Sequence, residues 1–346
     1  MRREISIRHD GRTRRFPAEK TLPEPWYLTC TTGGVLDALE SDTRAFLDSL
    51  APPGRPLSVA QMRDRESTLQ AIDVAKPRVD VEDGVVQSLG LEIRIRVVKP
   101  LGWKNGPLPV VVFVHGGGWV VGGPDTHDRL VREIAHRAEA AVVFVDYTRS
   151  PEARHPVAVE EVYAALAWVR SNGRSIAVDT TRVALVGDSA GGNIVAAVTL
   201  LGRTRGGPAA DLQVLLCPAT DTSFTQSSYA EFADGYFLTR AGLQWAWDQY
   251  VPDPSARGVS TVAPLRAPLP ELTGLPPALI ITAECDILRD EGEAYARRLM
   301  TAGVRVTATR YLGTIHAFTV LNPLAHTPAA RAAVAQIAQT LRDALA

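Results

Sequence analysis

From about Leu91 onward, short apolar runs rich in β-branched residues alternate with longer stretches whose apolar residues recur at helical spacing. That is the pattern of a sheet with helices on its faces. The strand candidates are Leu91–Val98, Val110–Val114, Ala141–Val145, Arg182–Val186, Leu212–Leu216, Ala278–Thr282 and Arg305–Tyr311. Several are continuously apolar, as strands of a parallel sheet covered on both faces must be. Between them, His127–Glu139, Pro156–Ser171, Gly192–Leu201, Gly292–Ala302 and Pro328–Leu345 read as amphipathic helices, with Ala and Arg supplying propensity.

Two segments break this rhythm. Residues 1 to about 80 hold helical patches around Val35–Leu50 and Val59–Ile72, separated by the turn-rich Ala51-Pro52-Pro53-Gly54. A second irregular stretch, from Asp221 to Pro277, concentrates Phe224, Tyr229, Phe232, Tyr236, Phe237, Trp245, Trp247 and Tyr250. Aromatic residues are only 6% of the chain, so this local richness marks either a pocket wall or a helical insertion packed on the core.

Composition narrows the function classes. A 346-residue chain with 46% hydrophobic residues has ample material for a core, and its net charge of −1 provides no global field to recruit nucleic acid or an anionic membrane. The basic start, with Arg2, Arg3, Arg8, Arg12, Arg14 and Arg15, reads as a solvated terminus. Three cysteines, Cys30, Cys217 and Cys285, stand at unrelated spacings and support neither a disulfide framework nor a zinc site. The arginines are followed by no apolar leader, and no stretch has the length of a membrane helix, so the expected compartment is the cytoplasm.

The chemistry is concentrated in short motifs at the ends of these strands. Gly187-Asp188-Ser189-Ala190-Gly191 lies between the strand ending at Val186 and a helical run, the context of a G-x-S-x-G nucleophile elbow. Its small residues permit a tight turn that lifts the serine hydroxyl out of the sheet, and the following helix directs its positive end toward developing negative charge. Val110–Val114 runs into His115-Gly116-Gly117-Gly118-Trp119, where successive glycines expose backbone N–H groups to an oxyanion. Gly117, Gly118 and Ala190 are the expected donors, and His115 is expected to brace the loop.

A serine nucleophile needs a base, and in this arrangement an acid and then a histidine follow it along the chain. Of seven histidines only His316 and His326 come after Ser189. His316 stands just beyond the strand Arg305–Tyr311, where a loop can return it to the serine, whereas His326 precedes the last helix. Asp286, after the strand Ala278–Thr282, is the expected acid, with Glu284 and Asp290 as neighbouring rivals.

Together, His115–Trp119, Gly187–Gly192, the stretch from Asp286 to Gly292 and His316–Phe318 resemble the hormone-sensitive-lipase-like branch of α/β-hydrolase esterases. Asp146-Tyr147-Thr148-Arg149-Ser150-Pro151-Glu152 is similar to that branch's Tyr-Arg-Leu-Ala-Pro-Glu segment, with Thr148-Arg149-Ser150 departing from it. Ile287 stands where a proline usually follows the acid. The resemblance implies an α/β fold with a mostly parallel sheet of about eight strands, in a catalytic domain over residues 81–346. It also implies a helical cap from residues 1–80 and part of 221–266. It implies a serine esterase acting on small carboxylic esters of short to medium acyl chain, without metal or organic cofactor, and by analogy a homodimer. Trp119, Tyr236, Phe237 and Phe318 are the candidate substrate-binding residues. The same triad would serve an amidase, carbamate or lactone hydrolase or an acyltransferase, and other members of the fold are non-catalytic receptors.

Overall fold

The computed structural model describes the backbone of residues 6–9 and 12–15, and residues 38–50 and 57–346 in full. The remaining positions lie outside the described residues; they include Cys30, Arg2, Arg3, the start of the Val35–Leu50 patch and the turn at 51–54. Strands β1 (Ser6–His9) and β2 (Arg12–Arg15) form a separate antiparallel ribbon. Helices α1 (Ser41–Ser49) and α2 (Val59–Gln70) follow, the latter opened by a capping box in which Ser58 and Gln61 satisfy each other's backbone N–H groups.

The main sheet has eight strands in the order β10-β9-β8-β7-β5-β6-β4-β3. They are β3 (Val79–Ser88), β4 (Leu91–Pro100), β5 (Leu108–Val114), β6 (Ala141–Val145), β7 (Val178–Asp188), β8 (Leu212–Leu216), β9 (Ala278–Cys285) and β10 (Val306–Ile315). Neighbours from β6 to β10 pair in parallel, while β4 is antiparallel to both β6 and β3. The apolar runs read as central strands are buried along their whole length in β6 and β8. An α/β sheet with this architecture is what the motif resemblance implied. The sequence pattern missed β3, because on this exposed edge the alternation begun at Val79-Asp80-Val81-Glu82 breaks off at Asp83-Gly84 and little of the strand is buried.

Helices α3 (Asp128–Ala138) and α10 (Pro328–Leu345) pack together on one face of the sheet. On the other face lie α4 (Val157–Asn172), α5 (Ala190–Arg205) and α9 (Arg289–Thr301). The aromatic stretch after β8 folds into the short helices α6 (Ser228–Glu231), α7 (Arg240–Tyr250) and α8 (Leu269–Leu272), joined by 3-10 turns. Among the described residues, no helix is long and apolar enough to cross a membrane.

The chain order reverses around β5: β6 lies on one side of it and β7 on the other. At such a switch point the loops leaving the carboxyl ends of the two strands diverge and open a crevice. The glycine loop leaves β5 and Ser189 leaves β7 at this crevice. Fold topology alone therefore brings the two strongest sequence motifs side by side.

Candidate active site

Ser189 stands between the last residue of β7 and the first of α5 with φ 53° and ψ −118°. This is an uncommon backbone conformation for an L residue, and it costs on the order of 1–3 kcal/mol. The turn is permitted by its glycines. A methyl group added at Gly187 would lie 2.4 Å from the Gly191 carbonyl oxygen, and one at Gly191 would lie 2.0 Å from that of Val114. The serine hydroxyl is thereby fixed above the sheet, 7% exposed.

His316 follows β10 and Asp286 follows β9, each on a loop at the carboxyl end of its strand. The Ser189 Oγ lies 2.9 Å from His316 Nε2, and His316 Nδ1 lies 2.7 Å from Asp286 Oδ2. The other carboxylate oxygen, Asp286 Oδ1, accepts the N–H of Leu288 at 2.9 Å, which fixes the plane of the acid. Both the imidazole and the carboxylate are buried. The rivals are engaged elsewhere: Glu284 accepts the Gly313 N–H, and Asp290 accepts from Ser227, Ser228 and Arg289. His326 is exposed and 3.2 Å from Asp42. Cys217 lies close to Asp286 and His316, their donor atoms within 4.8 Å of one another, and burial holds its thiol well above the usual range and thus protonated.

The glycine loop is a tight, self-closed turn. The N–H groups of Val120 and Val121 both donate to the Gly117 carbonyl, and Gly117 and Gly118 have φ of 102° and 58°. Among the described residues, no acceptor meets the N–H of either glycine, and Ala190, as the first residue of α5, has no intrahelical acceptor. The loop is anchored to the elbow by the Gly116 N–H, which donates to Asp188 Oδ1 at 3.0 Å. Asp188 also faces His127 Nε2 at 3.3 Å. Burial would lower the imidazole's proton affinity, but the Asp188 and Glu66 carboxylates outweigh it and His127 titrates above its ordinary range. His115 is fully buried beneath the loop, stacked 4.2 Å from Tyr147 with Nδ1 2.7 Å from the Gly116 carbonyl. Burial, with His127 adding to it, lowers its proton affinity strongly.

Ser189, His316, Gly117 and Gly118 open into a cavity with a mainly apolar wall. Helix α2 contributes Met62, Glu66, Leu69 and Gln70 to that wall, and Phe237, Leu238 and Leu243 enter from the aromatic stretch. Of the four candidate substrate-binding residues, only Phe237 lines the cavity. Trp119 turns away to stack on Tyr250 at 4.5 Å, Tyr236 meets the edge of Phe232 at 5.0 Å, and Phe318 packs on Tyr311 at 5.4 Å. Those three rings build the core around the site, and sequence adjacency to a motif is what made them look like wall residues. Sequence reasoning missed Glu66 and Gln70, which belong to a helix with weak apolar periodicity.

The departures from the family segment after β6 are accommodated. Thr148 donates through its N–H and hydroxyl to Glu161, Arg149 donates to the Gly122 carbonyl, and Glu152 pairs with Arg63. A family model described as the alpha/beta hydrolase fold matches residues 111–320. The chain is 40% identical over 274 residues to carboxylesterase NlhH of Mycobacterium tuberculosis, a match covering 78% of this chain and 84% of that protein. Among solved structures it is similar to a thermostable esterase from Pseudomonas putida, with TM-score 0.88, 45% identity, and 91% and 99% of the two chains covered. An esterase of the fungus Rhizomucor miehei matches with TM-score 0.85 and 39% identity over 89% of this chain and 97% of that one.

Proposed function

We propose that this chain, which belongs to the hormone-sensitive-lipase-like branch of the α/β-hydrolase esterases and is a carboxylic ester hydrolase, cleaves its substrate through Ser189, His316 and Asp286. The observation that carries this reading is the unbroken relay from Ser189 Oγ to His316 Nε2 at 2.9 Å and from His316 Nδ1 to Asp286 Oδ2 at 2.7 Å. In that relay Asp286 holds the imidazole in the tautomer whose Nε2 accepts a proton.

Ser189 Oγ attacks the ester carbonyl carbon while His316 Nε2 takes its proton. The tetrahedral oxyanion receives the N–H groups of Gly117, Gly118 and Ala190, supported by the amino end of α5. His316 then protonates the departing alcohol, leaving an acyl-enzyme on Ser189. Water, deprotonated by His316, attacks the acyl carbonyl, and collapse of the second tetrahedral species releases the acid and restores the hydroxyl. The apolar cavity, walled by α2 and the segment around Phe237, suits esters of short to medium acyl chain, and these two segments act as the cap.

The test is turnover of p-nitrophenyl esters from acetate to palmitate, with fluorophosphonate labelling, on wild type and Ser189→Ala together. Wild type labels at Ser189 and prefers the shorter chains. The variant loses labelling and about 10⁶ in kcat, keeping a residual acceleration of about 10³ to 10⁴ over water from the oxyanion donors and binding. Near-normal turnover by Ser189→Ala would overturn the assignment, and labelling of wild type without ester turnover would redirect it to acyl transfer or to another acyl bond.

A further inference from the structure

Helix α2 reaches the loop that carries Gly117 and Gly118 at two points one helical turn apart. Arg63 Nε donates to the Val120 carbonyl at 2.8 Å, and Glu66 Oε2 accepts the Gly122 N–H at 2.6 Å. Arg63 is itself held by the Ser150 carbonyl at 3.1 Å and by both oxygens of Glu152, at 2.7 and 2.8 Å. Gly122 lies directly on the catalytic turn. With φ 88°, it sits so close that a methyl group there would be 2.5 Å from the Gly116 carbonyl oxygen and 2.5 Å from His115 Nδ1. Val121 closes the same turn through its bond to the Gly117 carbonyl. A displacement of Gly122 is therefore passed by backbone contact to Gly116 and on to Gly117 and Gly118, since close-packed backbone has no room to absorb it.

We propose that Glu66 is a positioning residue for catalysis: from the cap helix, its carboxylate clamps Gly122 and so aligns the Gly117 and Gly118 N–H groups with the oxyanion. This rests on the reading of Gly117 and Gly118 as oxyanion donors given above. The clamp also responds to protons. The charged groups that face Glu66 are His127 at the N-cap of α3, Asp188 from β7 and Arg149 from the loop after β6. On its own helix, Arg63 is committed to Glu152. Burial, with Asp188 adding to it, pushes Glu66 up to about 7 against His127, the Gly122 N–H and Arg149. A protonated carboxyl is a weaker acceptor for the Gly122 N–H, so the loop loosens as pH falls through that value.

The experiment compares wild type, Glu66→Gln and Glu66→Leu as full-length enzymes on one short-chain p-nitrophenyl ester, from pH 5.5 to 9, after stoichiometric titration of Ser189 with fluorophosphonate. Glu66→Leu is expected to lose about 10-fold in kcat with KM changed less than about 2-fold, a fraction of the 10² to 10³ that follows outright removal of a donor. Glu66→Gln keeps an amide oxygen for the Gly122 N–H and is expected to recover kcat to within about 3-fold of wild type at pH 8. Only wild type adds a step in kcat near pH 7, absent from Glu66→Gln. Superimposable pH profiles for wild type and Glu66→Gln would overturn the proposal. So would Glu66→Gln as impaired as Glu66→Leu, or a Leu variant changed in KM alone, which would make Glu66 a wall residue that touches substrate. Failure of Ser189 to label in wild type would instead bring down the triad reading itself.

Discussion

At the scale of single residues, the nucleophile elbow is a problem of missing side chains. Gly191 faces the carbonyl of Val114, where an added methyl group would stand 2.0 Å from the oxygen. Both partners are backbone in the middle of the fold, so neither can yield without separating β5 from α5. Gly206, at the exposed end of α5, has φ 60° and nothing within 4 Å of an added methyl group. The two alanine substitutions therefore separate crowding from conformational cost. Gly206→Ala should cost about 1 kcal/mol, the price of a left-handed conformation for an L residue. Gly191→Ala should cost more than about 4 kcal/mol or yield insoluble protein, because overpacking here moves the sheet. Urea unfolding of the two variants against wild type checks this, and equal midpoints would mean that the elbow relaxes more easily than its contacts imply. The same geometry explains why Ser189 was legible in the sequence: only a Gly-x-Ser-x-Gly run with a strand before it and a helix after it can fill so little space.

At the scale of elements, the loop that carries His316 is held by side chains distant in sequence. Arg129 of α3 is 2% exposed. Its Nε donates to Asn322 Oδ1 at 2.8 Å, and its Nη2 donates to the carbonyls of Thr319 and Val320 at 2.6 and 2.9 Å. Gln70 of α2 meets the same loop, donating to Val320 and accepting from the Asn322 N–H. Arg129→Leu would strand the Thr319 carbonyl and the Asn322 amide oxygen in the interior and leave the Val320 carbonyl only its bond from Gln70. It should destabilise the fold by about 3 to 5 kcal/mol, and Arg129→Lys should rescue little of it, because an ammonium does not reproduce the guanidinium fork. Thermal melts of both variants check this; full rescue by lysine would show that charge alone is needed. Neither Arg129 nor Gln70 was singled out in the sequence. A polar residue that serves a loop 190 to 252 positions away looks, in its own helix, like an ordinary surface residue. Glu66 escaped for the same reason. The hydrogen-bonded arrangement of Ser189, His316 and Asp286 was legible because strand-to-loop position and chain order constrain it locally, whereas the bonds from α2 to the glycine loop exist only once α2 has docked. Trp119, Tyr236 and Phe318 erred in the opposite direction: aromatic identity beside a motif cannot say which way a ring turns.

At the scale of the whole molecule, the strand rhythm was legible because a parallel sheet covered by helices on both faces demands continuous apolar runs. The edge strand β3, wetted along most of its length, makes no such demand and left only a short, broken alternation. The aromatic stretch after β8 was readable as an insertion, but what fastens it to the sheet was not. Glu291, near the start of α9, accepts the N–H groups of Thr220 and Asp221 at 2.6 and 3.2 Å and the Tyr229 hydroxyl at 2.6 Å. It thus ties α9 to the end of β8 and to α6 with a fully buried carboxyl. Burial pushes Glu291 up to about 8, although all three donors pull the other way. Between the ordinary carboxylate range and that value, the native state holds a proton that the unfolded chain has released. Stability must then fall as pH rises through that window. Asp290, next along the helix, works on the other side: against the cost of burial, Arg289, Ser227 and the Ser228 N–H pull it down to about 2. Its contribution is present above the ordinary carboxylate range and is lost as pH falls toward 2. Together the two groups contribute most to stability on the acid side of neutrality. Urea midpoints at pH 5.5 and 8.5 should decline for wild type and decline less for Glu291→Gln, which removes one titration while keeping an acceptor for the two backbone N–H groups. A wild-type midpoint that rises over the same interval would show that the three donors dominate and that Glu291 fastens the insertion as a carboxylate.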